Sequence, residues 1–393
     1  MSGGAGQERV PAAQRIEDAL WRAAERALPA AALSHRALVR AVMERTRRYT
    51  SERERLDEPL GPAEEAGDLA ARALFFAVTD SAKVSVPLGE LFGRGLLPAG
   101  DAPLRVLDLG AGAGAMTLGA AAFLADAGRP VDLQVTAIDR DRPALALLSA
   151  AAADLGAALG GRVAVEARHG SLRDLAPAPG SADLVLCGSV LNELDEATRL
   201  LVIERALAAA GERGAVVVIE PALRQTSRDL HRVRDRVIER RLGHVFAPCT
   251  RGAAPCPALQ RERDWCHEDR PAALPARAAQ IAAATGLRDG GMKFSYLVLR
   301  REPAGLVEPA AGRTALRLVS DPRKLKGRRA CLACGDGGWV ELRLLARRRS
   351  EMNRGFERAR RGDVALVDGP APERLRDLGQ DEAVEIVSPA GRT

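Results

Sequence analysis

The sequence predicts an α/β chain: a helical lead, a mostly parallel central sheet and a small, basic, β-rich module after it. Three observations carry this expectation. Apolar residues recur at helical spacing up to about residue 95. From Leu104 to Pro221, short apolar runs alternate with helical runs, the pattern of βαβ units around a parallel sheet. Beyond a Pro/Gly/Ala-rich linker at 303–314, strand-like runs return and arginine accumulates.

In chain order, residues 1–95 read as a helical cap. Ile16 to Leu28, Ser34 to Met43 behind a serine cap, and Ala70 to Val78 are its helical runs. The central domain is expected over 96–302, with a cysteine-rich insert at 244–270. Its strands start at Arg105, Val131, Val163, Ala182 and Gly214, with helices over 116–125, 143–155 and 197–210 between them. Asp229 onward is an arginine-rich helix whose mixed charges suggest a solvated face. A helix over 277–287 and an alternating strand over 293–299 complete the sheet. The basic module occupies 315–370, and 371–393 reads as a disordered tail.

The chain has 393 residues, enough for two or three folded units. No long apolar run is free of charge, so no membrane span is expected. The first residues lack a basic stretch followed by an apolar one, which argues against a secretory signal and for a cytoplasmic chain. The net charge of +6 is almost entirely arginine, whose planar guanidinium suits phosphate. Aromatic residues are 3%, which disfavours base stacking as a binding mode.

Gly110, Gly112 and Gly114 follow the first strand, Val106-Leu107-Asp108-Leu109, and precede a helix. Such a turn lets backbone approach a ligand where a Cβ would clash, and Asp139, ending the second strand, is placed to bind ribose hydroxyls. This spacing resembles the Rossmann-like class I S-adenosylmethionine-dependent methyltransferases. The resemblance implies that fold and a donor-binding set of Asp108, Gly110, Gly112, Gly114, Asp139 and Asn192. The amino-methylating tetrapeptide of that class, Asn/Asp-Pro-Pro-aromatic, is absent: the position reads Cys187-Gly-Ser-Val-Leu-Asn192-Glu193. Cys187 lacks the Pro-Cys context of cytosine-5 methyltransferases and reads as core. No catalytic residue is assigned.

Five of the six cysteines fall in one constellation: Pro248-Cys249, Pro255-Cys256-Pro257, Trp265-Cys266-His267 and Cys331-Leu-Ala-Cys334. In a chain kept reduced, clustered thiols favour a soft metal group, zinc or iron–sulfur. The intervals of six and nine residues between the first three are wide for a zinc finger. A fourth ligand is expected from Cys331 or Cys334, the Cys-Gly-Asp-Gly context leaning to Cys334, with His267 as a substitute. From Asp321 to Arg361 thirteen Lys/Arg face five Asp/Glu, an electrostatic footprint for nucleic acid. The candidate contacts are Arg328, Arg329, Arg347, Arg348, Arg349, Arg360 and Arg361.

Across these cysteines the chain resembles the methyltransferase-like assembly proteins of the mitochondrial small ribosomal subunit and their bacterial relatives. The motifs match in order from about residue 35 to about 370. The resemblance implies a 4Fe–4S cluster, small-subunit rRNA and assembly intermediates as partners, and doubtful methyl transfer; a monomer is expected. It departs at Thr250-Arg251, where Pro-His is common. The rival expectations are an active rRNA methyltransferase using Asn192 or Glu193, and a zinc-stapled RNA-binding protein with a vestigial donor site. A redox-gated switch is a further hypothesis resting on the cluster.

Overall fold

The computed structural model describes residues 11–55, 58–98, 102–288 and 291–390; residues 1–10, which carry the expectation of no secretory signal, and 391–393 lie outside them. The strands are β1 (Leu104–Leu109), β2 (Asp132–Asp139), β3 (Arg162–His169), β4 (Leu184–Gly188), β5 (Ala215–Pro221), β6 (His244–Ala247), β7 (Glu268–Arg270) and β8 (Met292–Arg300). They continue as β9 (Arg313–Leu318), β10 (Arg323–Leu325), β11 (Arg328–Gly335), β12 (Gly338–Leu345), β13 (Val364–Asp368), β14 (Leu375–Asp377) and β15 (Glu385–Val387). The chain divides into two interleaved units: Met1–Val84 with Ala111–His169 and Ala272–Gly290, and the remainder.

In the first unit, β2 and β3 pair in parallel from Asp132 opposite Arg162 to Asp139 opposite His169. The helices Ala12–Ala27 and His35–Thr50 bury Ile16, Leu20, Leu38 and Val42, one stripe each, as their spacing dictates. The expected run over 70–78 is helical with a π-helical turn at Arg72–Ala77. Arg72 bridges Asp68 at 2.9 Å and Asp141 at 2.6 Å there. Glu17 is fully buried because its carboxylate accepts from the Arg277 and Ala278 amides, at 3.1 and 2.7 Å, starting the Ala276–Thr285 helix. Those amides have no partner within their helix, and its positive end favours an anion.

In the second unit, β1, β4, β5, β8 and β6 lie in that order. The β1–β4 and β4–β5 pairs are parallel, while β8 runs antiparallel to both β5 and β6. β4 and β5 are buried on both faces, which explains their unbroken apolar sequences. An antiparallel strand inserted beyond the fifth strand is the mark of the Rossmann-like class I methyltransferase fold, as the sequence predicts. β7 adds to β8, so the cysteine insert ends as a sheet strand. The same unit contains a second sheet, ordered β14-β12-β11-β9-β13-β15, with β10 on β11.

Residues 371–390 are not a loose tail: β14 pairs in parallel with β12 and β15 pairs with β13. At three residues each, Leu375–Asp377 and Glu385–Val387 are too short to show a strand period in the sequence. The second sheet thus extends from Arg313 to Val387.

A buried ion network ties β9 to the first sheet. Arg317 donates to Glu90 at 2.7 Å, to the Tyr296 hydroxyl at 2.8 Å and to Glu268 at 3.2 Å. Tyr296 in turn donates to Glu90 at 2.8 Å. Burial pushes the Glu90 carboxyl up against the pull of Arg317, and the guanidinium is held firmly charged by its partners despite burial.

Candidate functional site

The glycine turn divides between the units, and each half has its own geometry. In the first unit the Gly112 amide donates to Asp139 Oδ2 at 2.8 Å, while Oδ1 accepts from the Asp141 amide at 2.8 Å. Gly112 has φ +51°, and nothing lies within 4 Å of where a Cβ would stand. Gly114 differs: at φ +91° its Cβ would meet Leu148 Cδ1 at 2.2 Å, so it serves packing at the start of the Ala115–Asp126 helix. In the second unit, Asp108 is buried in β1, and Gly110 follows at φ +68°. Asn192 donates to Glu220 Oε2 at 2.7 Å, and the Leu191 amide donates to Oε1 at 2.9 Å. Glu220, unassigned by the sequence reading, is buried at the end of β5, and burial pushes its carboxyl up to about 7. Cys187 is enclosed in β4 and burial pushes its thiol far up, as for a packing residue.

The second unit also places Cys249, Cys256, Cys266 and Cys334 around one cavity, with His267, Arg234 and Arg251 in its wall. Burial pushes the Cys256 and Cys334 thiols to about 12, and neighbouring Cys249 adds to both. Burial pushes Cys266 up as well, reinforced by Cys256, Cys334 and Cys249. As the side chains stand, no group of three or more His, Cys, Asp or Glu among the described residues could hold a metal ion. The donor set, four soft thiols beside two buried arginines, fits a metal group that displaces the thiol protons.

Cys331 is not in this wall. It packs in the core of the second sheet with Leu316, Leu342 and Phe356, and burial, then Asp321 and Glu341, push its thiol to about 12. The reason is strand parity. Cys331 and Cys334 lie three residues apart in β11, so their side chains leave opposite faces. Cys334 pairs with Trp339 across the β-ladder, and Trp339 also lines the cavity.

The cysteine loop is held in part by the arginine-rich helix, whose mixed charges from Asp229 onward predict a solvated face. In the Arg224–Glu239 helix, Arg228 and Arg234 are buried. Arg228 donates to the carbonyls of Ala258, Arg261 and Asp264 at 2.7–2.8 Å. Arg234 donates to the Ala254 and Gly252 carbonyls at 2.8 and 3.1 Å. Asp235 accepts from the Cys256 amide at 3.0 Å. The Cys266 amide donates to His231 Nε2 at 3.1 Å, and burial lowers that imidazole to about 4, so it stays neutral. The departure Thr250-Arg251 is also employed: Thr250 donates to the Ala315 and Cys334 carbonyls, at 3.1 and 3.2 Å, and Arg251 to that of Gly335 at 3.0 Å.

Of the basic candidates, Arg347, Arg349 and Arg360 are exposed, and Arg328, Arg329 and Arg348 half-buried. Lys324 stands directly opposite Arg329 in the β10–β11 pair. Arg361 is committed to the structure: its Nε donates to the Val319 carbonyl at 2.8 Å, and Asp269 lies 3.9 Å from Nη1. No helix among the described residues is long and apolar enough to cross a membrane.

Comparison with solved structures returns methyltransferases at low similarity. Magnesium protoporphyrin IX methyltransferase from Synechocystis PCC 6803, with bound S-adenosylmethionine, is 15% identical, over 66% of this chain and 97% of that one, at a TM-score of 0.34. An arsenic(III) S-adenosylmethionine methyltransferase from Chlamydomonas reinhardtii is 19% identical, over 58% and 76%, at 0.31. No curated protein matches the chain. The profile of one family matches residues 100–365, spanning the glycine turn, the cysteine loop and most of the second sheet. By that match over more than half its length, the chain belongs to the family described as mitochondrial small ribosomal subunit Rsm22.

Proposed function

We propose that this chain is a cytoplasmic assembly factor of the small ribosomal subunit. In this reading the methyltransferase-like fold binds S-adenosylmethionine as a ligand more than as a reactant, and the second sheet offers arginines to rRNA phosphates. Cys249, Cys256, Cys266 and Cys334 hold a 4Fe–4S cluster. The observation that carries it is the convergence of three loop thiols and one β11 thiol on a single cavity. When bound, such a cluster cross-links the loop to β11 and supplies a one-electron couple. The chain's own residues fix the loop around it: Arg228 and Arg234 gather its carbonyls, and Thr250 joins it to β11. The Lys324–Arg329 pair supports an anionic partner, since like charges opposite one another repel unless an anion joins them. Family membership supports the ribosomal partner.

The test is anaerobic purification with iron, sulfide and zinc analysis, beside Cys256→Ser, followed by binding to immature small subunits. About four irons and four sulfides per chain, absent from the variant, support the reading. One zinc without sulfide replaces the cluster by a zinc staple, and folded protein without metal refutes the site. A second reading, active rRNA methylation, is favoured by Glu220, which fixes Asn192 at the end of the strand where acceptors bind in this fold. Methyl transfer to immature subunits, lost in Asp139→Ala, would establish it.

A further inference from the structure

Four arginines line the cysteine cavity, and three have carboxylate partners. Arg317 meets Glu90 and Glu268, Arg234 meets Asp235 at 2.6 Å, and Arg361 lies 3.9 Å from Asp269. Arg251 is different. It is 8% exposed, and among the described residues no ion pair joins it to a carboxylate. Its Nη1 donates to the Gly335 carbonyl at 3.0 Å. Its Nε is enclosed and has no hydrogen-bond partner, as is Nε of Arg234. Among the described residues five other enclosed arginine Nε atoms lack a hydrogen bond, but none of those arginines lines this cavity.

A buried guanidinium without a counter-ion is strongly unfavourable, because the charge has lost water and gained only a carbonyl dipole. Two enclosed donors without an acceptor thus belong to arginines of the wall that carries the four thiols. We infer that the group held by the four cysteines carries net negative charge, and that Arg251, backed by Arg234, is its counter-cation and favours its reduced form. This rests on the cluster reading above. One-electron reduction adds one negative charge to the cluster, and a fixed cation beside it stabilises the product more than the reactant. Net charge and hydrogen bonds to sulfur are the protein's means of setting such potentials. Arg251 is thereby a tuning residue, with the cysteines as the ligands.

The experiment compares wild type, Arg251→Gln and Arg251→Lys, each purified anaerobically, by iron and sulfide analysis and by dithionite titration followed by electron paramagnetic resonance. Dithionite supplies the electron. At a fixed potential the Gln variant is expected to hold about tenfold less reduced cluster than wild type, a midpoint lower by 59 mV for a one-electron couple. The Lys variant, which keeps the charge, returns to within about twofold. With iron and sulfide retained, a Gln shift below about twofold overturns the inference. So does a Lys variant that shifts as far as Gln, which would assign the effect to loop geometry. Should Arg251→Gln lose its iron, Arg251→Lys decides: iron kept at the wild-type potential supports a counter-cation, and iron lost again refutes it. A wild-type chain that binds zinc and no sulfide fails at the earlier step and removes the cluster and this inference together.

Discussion

Replacing Arg317 by Met removes the cation from a network whose members are sealed from water: Arg317 and Glu268 side chains are 4% and 5% exposed, and Glu90 is 0%. The two glutamates do not lose equally. Glu268 keeps Arg270 at 3.3 Å, whereas Glu90 keeps only the Tyr296 hydroxyl among the partners given above. Breaking a buried pair costs roughly 3–5 kcal/mol when the remaining charge stays ionised. Glu90 has an escape, which is to take a proton. From an ordinary glutamate value near 4.3, that costs about 1.36 kcal/mol per pH unit, or about 4 kcal/mol at pH 7 and about 2 kcal/mol at pH 5.5. The destabilisation is therefore capped near 4 kcal/mol at neutrality and shrinks on acidification. Urea unfolding of both proteins at the two pH values measures the difference, and hydrogen exchange over β9 and the Ser85–Gly93 helix localises it. Adding Glu90→Gln should recover most of the loss, because the uncompensated charge is then gone. A loss below about 1 kcal/mol, or one that ignores pH, would refute the reasoning.

Other consequences are equally direct. Glu220 titrates higher folded than unfolded, so its contribution is complete below the ordinary glutamate range and lost as pH rises through about 7, an effect of about 3 kcal/mol. Glu220→Gln should flatten that stretch of the stability–pH curve in urea unfolding, and superimposable curves would count against a buried acid. Cys334→Ser is expected to abolish metal binding, whereas Cys331→Ser keeps the metal and loses about 1–3 kcal/mol, the cost of a hydroxyl in an apolar core. Metal analysis and thermal melts separate the two thiols. Replacing Arg347, Arg348 and Arg349 together by Ala should weaken binding to small-subunit rRNA and reduce its salt slope by about 2, which filter binding over a salt series would read.

The parallel strands and the glycine turn were legible in the sequence because each rests on local rules: apolar runs of strand length, and glycine where φ must be positive. The thiols at 249, 256 and 266 stood out for their rarity. What was not legible shares a physical cause, namely that it depends on where charge ends up. Arg228 and Arg234 follow a helical charge pattern that reads the same whether it faces water or, as here, the carbonyls of residues 252–264. Glu90 lies in an apolar helix, and its partner Arg317 is 227 residues away. The choice between Cys331 and Cys334 was open because both belong to one motif; only knowing that β11 is a strand through both makes their faces opposite. Short strands such as β14 and β15 bury little by themselves and carry no strong period.

The distance along the chain between Cys249 and Cys334 has a consequence for synthesis. The cavity takes three thiols from the loop and its fourth from β11, so a nascent chain halted anywhere before residue 334 presents an incomplete set. The loop carbonyls can be gathered by Arg228 and Arg234 well before that point, since the Arg224–Glu239 helix precedes them all. The order of emergence is thus scaffold, then three thiols, then closure. Occupancy of the finished site becomes a molecular certificate that the chain was made at least as far as the strand that closes it.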